Sequence, residues 1–275
     1  MQEKAKPYVG ITGFKTAQEI GATAEAFYDN GFFSSNYLAM FGILSSDKRL
    51  DNPFQEGTMS PAICNLSEAL EAVPKWGLPT IHYHTKEKEK LNSHIRAILT
   101  VDGIYYYGLC KAVQLNVDWP PLDQINKILK EFTKLDLVLQ LPRRATEGLS
   151  LKEIAKRSKE YDALVKYALI DSSGGKGVEF DLEYGIELMN ALNEAMPNTR
   201  IGIAGGLDGG NVKSLVSEIS KKYNEDFFID AQGKLRTDNK EALDYEKARD
   251  YIKSSATALL RKKIAEKGII EEEIS

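Results

Sequence analysis

Val165-Lys-Tyr-Ala-Leu-Ile-Asp171, then Ser-Ser-Gly174-Gly175-Lys176-Gly177-Val-Glu-Phe180-Asp181, then the run 182–195, is the stretch whose reading decides the fold. Its first seven residues form a short, mostly apolar run of the kind that makes a buried strand. The glycines interrupt that run, and 182–195 repeats its apolar residues at helical spacing. The unit is strand, glycine loop, helix. It recurs at once: 200–204 is a strand that runs into Ala204-Gly205-Gly206-Leu207 and a helix over 209–222. A further strand, 227–230, ends in Asp230-Ala-Gln-Gly233.

Outward toward the N-terminus the same alternation gives strands at 8–12, 37–44, 80–84, 111–115 and 137–141, making eight with 165–171, 200–204 and 227–230. Helices are expected near 66–75, 87–100 and 121–134, with a last one over 243–266. Thr16 with Glu19, and Ser150 with Glu153, have the three-residue spacing of a capping box, which marks two helix starts. Strict alternation requires a parallel sheet with right-handed crossovers. Eight units in 275 residues favour closure into a (β/α)₈ barrel, an α/β fold of one domain over 1–275. The connection 45–65 is long for such a barrel; Pro53, Gly57 and Pro61 suit a lid or an inserted loop equally. The acidic end, 271–275, reads as a solvated terminus.

Composition narrows the function classes. A chain 43% hydrophobic and 28% charged has apolar mass for a full core, and a formal charge of -4 argues against a general nucleic-acid surface. No run approaches the roughly 18 apolar residues of a membrane span, and Met1 to Pro7 lacks the apolar segment of a signal peptide, so a cytoplasmic protein is expected. Cys64 and Cys110 have neither metal-type nor redox-type spacing and read as small core hydrophobes.

In a barrel of this kind chemistry sits at the C-terminal ends of the strands. Glycine there lets backbone N–H groups close on an anion, and a following helix N-terminus adds a favourable dipole. Gly174, Gly175, Gly205, Gly206 and Gly233 are therefore candidate phosphate ligands, against the alternative that they only form tight turns.

The motifs resemble a known family. Gly174-Gly175-x-Gly177-x-x-Phe180-Asp181, and Ala204-Gly205-Gly206-Leu207 followed by Asn211-Val212, are similar in order and spacing to the glycine loops of phosphoribosylanthranilate isomerases, members of the ribulose-phosphate-binding barrels. Gly10-Ile11-Thr12-Gly13, Phe41-Gly42 with Lys48-Arg49, and Val113-Gln114-Leu115 resemble the family's first, second and fourth strands.

This resemblance implies a cytoplasmic isomerase that opens and rearranges a phosphorylated sugar derivative by acid–base catalysis, with no cofactor and no metal. It places the general acid at Asp171. Arg49 falls on the ligand of the substrate's carboxylate, and Asp230 and Gln114 fall on further substrate-binding positions. The family's base, a cysteine, falls on Thr12, whose hydroxyl has no useful acidity near neutral pH. Asn116, where the family has histidine, is a second departure.

A substitute base is sought by strand parity. His82 and His84 share one face of the third strand, with His84 at its C-terminal end; they are a base, a structural pair, or, with Asp171 or Asp230, a metal site. Lys166 lies five residues from Asp171 and so faces the helices, away from any Schiff-base role. Lys15, Lys176 and the pair Arg143-Arg144 are candidates for substrate charge or simply solvated. The expected partner is a small phosphorylated metabolite, with no nucleic acid and no membrane, and the oligomeric state is left open. Aldol cleavage or epimerisation of a phosphosugar, or binding without turnover, stand as alternatives.

Overall fold

A computed structural model describes residues 3–52, 54, 65–171 and 181–273, with side chains to 260. Eight parallel strands close into a barrel in sequence order: β1 Tyr8–Phe14, β2 Leu38–Ser46, β3 Leu78–His84, β4 Ala112–Asn116, β5 Asp136–Pro142, β6 Tyr167–Asp171, β7 Arg200–Ala204 and β8 Phe228–Ala231. Closure is made by β8 against β1, where Gly10 pairs with Asp230. The chain is thus the single-domain (β/α)₈ barrel that the alternation predicts.

The helices are α1 Ala17–Asp29, α2 Asp47–Asp51, α3 Leu66–Glu71, α4 Leu91–Thr100, α5 Leu122–Glu131, α6 Arg143–Thr146, α7 Leu151–Ser158, α8 Leu182–Ala195, α9 Val212–Lys222 and α10 Tyr245–Glu273. Both capping signals mark real helix starts. Ser150 and Glu153 make the reciprocal capping box, whereas Thr16 accepts from the Glu19 amide but Glu19 turns its carboxylate to the amides of Lys15 and Leu243. The last helix starts two residues later than expected and runs past 266. Short α2 and α6 carry no apolar period, which is why pattern alone does not mark them.

The strands bury both faces, as parallel strands must. Their outward residues join the helices in one large core, while Tyr8, Met40, Leu78, Ala112, Val138, Tyr167, Leu169 and Phe228 form a second cluster inside the barrel. Register puts these side chains on the inward parity, with Met40 beside Leu78 and Val138 beside Tyr167. The rings of Tyr8, Tyr167 and Phe228 meet with centroids 4.3 to 5.4 Å apart. This apolar floor lies below the next inward positions of the strands, which are polar: Thr12, His82, Gln114, Gln140, Asp171 and Asp230, all buried.

Candidate active site

Above the floor a cavity of about 320 Å³ opens at the C-terminal ends of β3 to β8, lined by the polar layer other than Thr12 and by the glycine turns after β7 and β8. Asp171 ends β6 and Asp230 lies one residue before the end of β8, at the same level, since both register with Ala204 of the strand between them. Strand spacing of about 4.8 Å then puts their backbones roughly 10 Å apart. Both carboxylates are nearly withdrawn from solvent, 7% and 4% exposed.

Each is held by a neighbour. The Nε2 of Gln140 donates to Asp171 Oδ2 at 2.8 Å. The hydroxyl of Thr12 lies 3.0 and 3.1 Å from the two oxygens of Asp230. Burial pushes the Asp230 carboxyl up to about 7, with the charge of Asp171 acting in the same direction and the hydrogen-bonding of Thr12 and Gln114 opposing it.

An amide chain runs across the cavity floor. Because Asp171 accepts, Gln140 must present its Oε1 to Gln114, whose Nε2 donates at 3.1 Å and also approaches His82 Nδ1 at 3.2 Å. On the far side Arg144 holds Asn116 Oδ1 at 2.7 Å, which turns the Asn116 amide nitrogen toward His82 Nε2. Amide donors thus face both ring nitrogens. A neutral imidazole can accept at one of them and an imidazolium at neither. Burial is the larger effect, and together with the positive charges of His84 and Arg144 it takes His82 down to about 3. The ring is a neutral structural element at physiological pH.

His84 stands two residues further along β3, half-buried, with Nδ1 3.0 Å from the Asn116 carbonyl, which can only accept. Neither His84 nor Arg49, which lies on α2, lines the 320 Å³ cavity. Among the described residues no group of three or more His, Cys, Asp or Glu side chains is placed to hold a metal. Lys166 is exposed, as parity requires. Arg144 is paired with Asp118, while Arg143 lines a neighbouring cavity that also reaches Asp171. Cys110 is buried and its thiol is pushed up to about 12, so it is inert packing.

At the mouth, Gly205 and Gly206 adopt φ of 113° and 63°, left-handed backbone that a side chain would strain. Asn211 fixes this turn by donating to the Gly206 carbonyl at 2.6 Å and accepting from the Asp208 amide. Gly233 opens the short turn after β8, from which Lys234, Arg236 and Lys240 also reach the cavity wall. Gly174, Gly175 and Lys176, together with Cys64 and most of the connection 45–65, lie outside the described residues.

Gln140 and Arg236 are the site residues that sequence reading missed. Gln140 left one trace, a lone polar residue in the apolar run Leu137-Val-Leu-Gln140-Leu141. Arg236 left none. It is 2% exposed, donates through Nη2 to the carbonyls of Thr12 and Gly13, and keeps Nε and Nη1 without a partner.

The sequence matches no protein-family model and no curated protein. Solved structures are similar in fold. Phosphoribosyl anthranilate isomerase from Thermus thermophilus superposes with a TM-score of 0.59 at 14% identity, covering 91% of this chain and 98% of that one. A phosphoribosyl anthranilate isomerase in complex with reduced 1-(o-carboxyphenylamino)-1-deoxyribulose 5-phosphate gives 0.57 at 15%, covering 90% and 98%. A protein described as native KDPGal gives 0.53 at 13%, covering 96% and 100%. At these identities the likeness is one of fold.

Proposed function

We propose that this chain is an acid–base isomerase of a small phosphorylated sugar or related phosphate ester, similar in chemistry to the phosphoribosylanthranilate isomerases. One observation carries the reading: two buried carboxylates, Asp171 and Asp230, share a cavity whose mouth is lined by Gly205, Gly206, Gly233, Lys234, Arg236 and Lys240. The phosphate end of the substrate binds at those glycines, where backbone N–H groups and the surrounding cations neutralise it. The sugar end then lies over the polar layer, within reach of Asp171, the proton donor and acceptor at the substrate's oxygen or nitrogen. A phosphorylated sugar derivative occupies the same fold in a solved isomerase complex, which supports the substrate class.

The exact reaction is the finer part of the proposal. Phosphoribosylanthranilate is the first substrate to test, and Arg49 on α2 and His84 at the end of β3 are assigned to the end of the substrate remote from phosphate. A Schiff-base aldolase on strand six has no amine to use, because Lys166 faces outward.

Calorimetric titration with inorganic phosphate and ribulose 5-phosphate, followed by turnover assays on phosphoribosylanthranilate, tests the reading. Asp171→Asn is expected to keep ester affinity and lose at least about a hundredfold in turnover. Failure of any phosphate ester to bind, or binding unaffected by Gly206→Val, would sink it.

A further inference from the structure

Moving a proton between carbons needs a base as well as an acid, and β1 and β8 build one. Asp230 faces Asp171 across the width of one strand, so a molecule lying over Ala204 meets a carboxyl from each side. Thr12 is placed to orient Asp230. Its single proton satisfies one carboxylate oxygen at a time, at 3.0 or 3.1 Å; with Gln114 and the Ala231 amide also donating, one of the carboxylate's roughly four acceptor sites is left over.

The neighbouring strands are cleared for this pair. A Cβ on Gly42 would stand 2.5 Å from Thr12 Oγ1, and one on Gly10 would stand 3.1 Å from Asp230 Oδ1. Two other nearby groups are unsuited to the task. His82 meets amide donors at both nitrogens, and the Thr12 hydroxyl has no basicity of its own.

We propose that Asp230 is the base that takes and returns the substrate's carbon-bound proton, and that Thr12 is its positioning residue. The inference rests on reading the cavity as a phosphosugar isomerase site. In the first step the C2–H bond of an aldose, or its imine equivalent, breaks. The proton passes to Asp230, the electron pair forms the C1–C2 double bond, and the heteroatom on C1 takes up the proton that the pair holds on Asp171 when Asp230 is ionised. In the second step Asp230 returns its proton to C1 as the hydroxyl on C2 gives its own to Asp171, leaving a ketose and both carboxyls in their starting states. No oxidant or reductant is consumed.

A carboxyl at about 7 is matched to this work at neutral pH, basic enough to accept a proton and acidic enough to return it. The groups around it are Tyr8 from β1, His82 from β3, Gln114 from β4, Asp171 from β6, Tyr251 from α10 and Arg236 beyond β8. Burial holds both tyrosines far above their ordinary range and His82 at about 3, so these three stay neutral throughout the relevant interval.

The test is exchange of carbon-bound hydrogen into D₂O from ribulose 5-phosphate and phosphoribosylanthranilate, followed by proton NMR across pH, with ¹³C NMR of the aspartate carboxyls alongside. The wild type is expected to show exchange rising through about pH 7 and a carboxyl titrating there. Asp230→Asn should lose at least about a hundredfold in exchange while binding ribulose 5-phosphate within about threefold of wild type. Thr12→Val removes a hydrogen bond that lowers Asp230, so both the kinetic limb and the carboxyl resonance should move to higher pH, and Thr12→Ser should restore them.

Exchange that survives Asp230→Asn, a Thr12→Val profile that does not move, or bound ester without exchange in the wild type overturns the inference. Loss of exchange in Asp171→Asn with survival in Asp230→Asn leaves the isomerase reading standing and removes this one alone. Absence of ester binding removes both. Should Asp230→Asn fail to fold, the Thr12 pair and the wild-type carboxyl titration decide.

Discussion

Gly13 exists where it does because of Arg236. Its backbone is left-handed, at φ 102°, and a Cβ there would overlap the Arg236 guanidinium, which donates through Nη2 to the carbonyls of Thr12 and Gly13. The cation beside the proposed phosphate site is thus seated on the end of β1, 223 residues away in the chain.

Gly13→Ala is expected to displace Arg236 and to strain the turn, costing roughly 1–3 kcal/mol in urea unfolding. Inorganic phosphate affinity should fall in the same variant by about tenfold, measured by calorimetry. A variant of unchanged stability and affinity would show that Arg236 plays no part in either.

Inside the barrel, Gly202 faces the ring of Phe228, which a Cβ would overlap. Gly202→Ala should destabilise the fold by about 1–3 kcal/mol through overpacking. Adding Phe228→Leu should recover part of that loss, and a double-mutant cycle on urea midpoints reads the coupling. Strict additivity of the two changes would contradict the described packing.

Stability should depend on pH through two groups of opposite sign. Asp230 is raised to about 7, so the stability of the folded state is lost as pH rises from the ordinary carboxylate range through 7. His82 is lowered to about 3, so its effect is stability lost as pH falls below about 6.5. Between about pH 4 and 6.5 they oppose each other. Asp230→Asn removes the first and leaves the second, so its unfolding free energy should climb with pH in that window more steeply than the wild type, by up to about 1.4 kcal/mol per pH unit. Equal slopes for the two proteins in denaturant titrations at pH 4.5, 5.5 and 6.5 would refute the Asp230 assignment.

The capping box at the start of α7 is a local test. Ser150→Ala leaves the Glu153 amide without its side-chain partner and should cost about 1 kcal/mol, with the melting temperature falling by a few degrees. Activity and phosphate affinity should stay at wild-type values.

The sequence carries the barrel openly because every strand is a short apolar run ended by a helix signal. Asp171 and Asp230 are legible through the resemblance of their strands to the sixth and eighth strands of the isomerases, and parity then turns Lys166 away from the site. Arg236 is illegible, since its partners on β1 are brought to it only when β8 closes against β1. Gln140 is hard to see, because one amide in an apolar strand reads as tolerated rather than placed. His82 looked equivalent to His84 by parity, and what separates them is a network of amide orientations fixed from Asp171 at one end and Arg144 at the other.

Tyr8, Tyr167 and Phe228 stack into a plug that seals the barrel's lower end. Among the described residues, traffic is therefore confined to the opposite end of the barrel, where whatever enters must also leave. Such a vestibule suits a conversion in which one molecule arrives and one departs. It would impose an ordered queue on any reaction that joins or splits two.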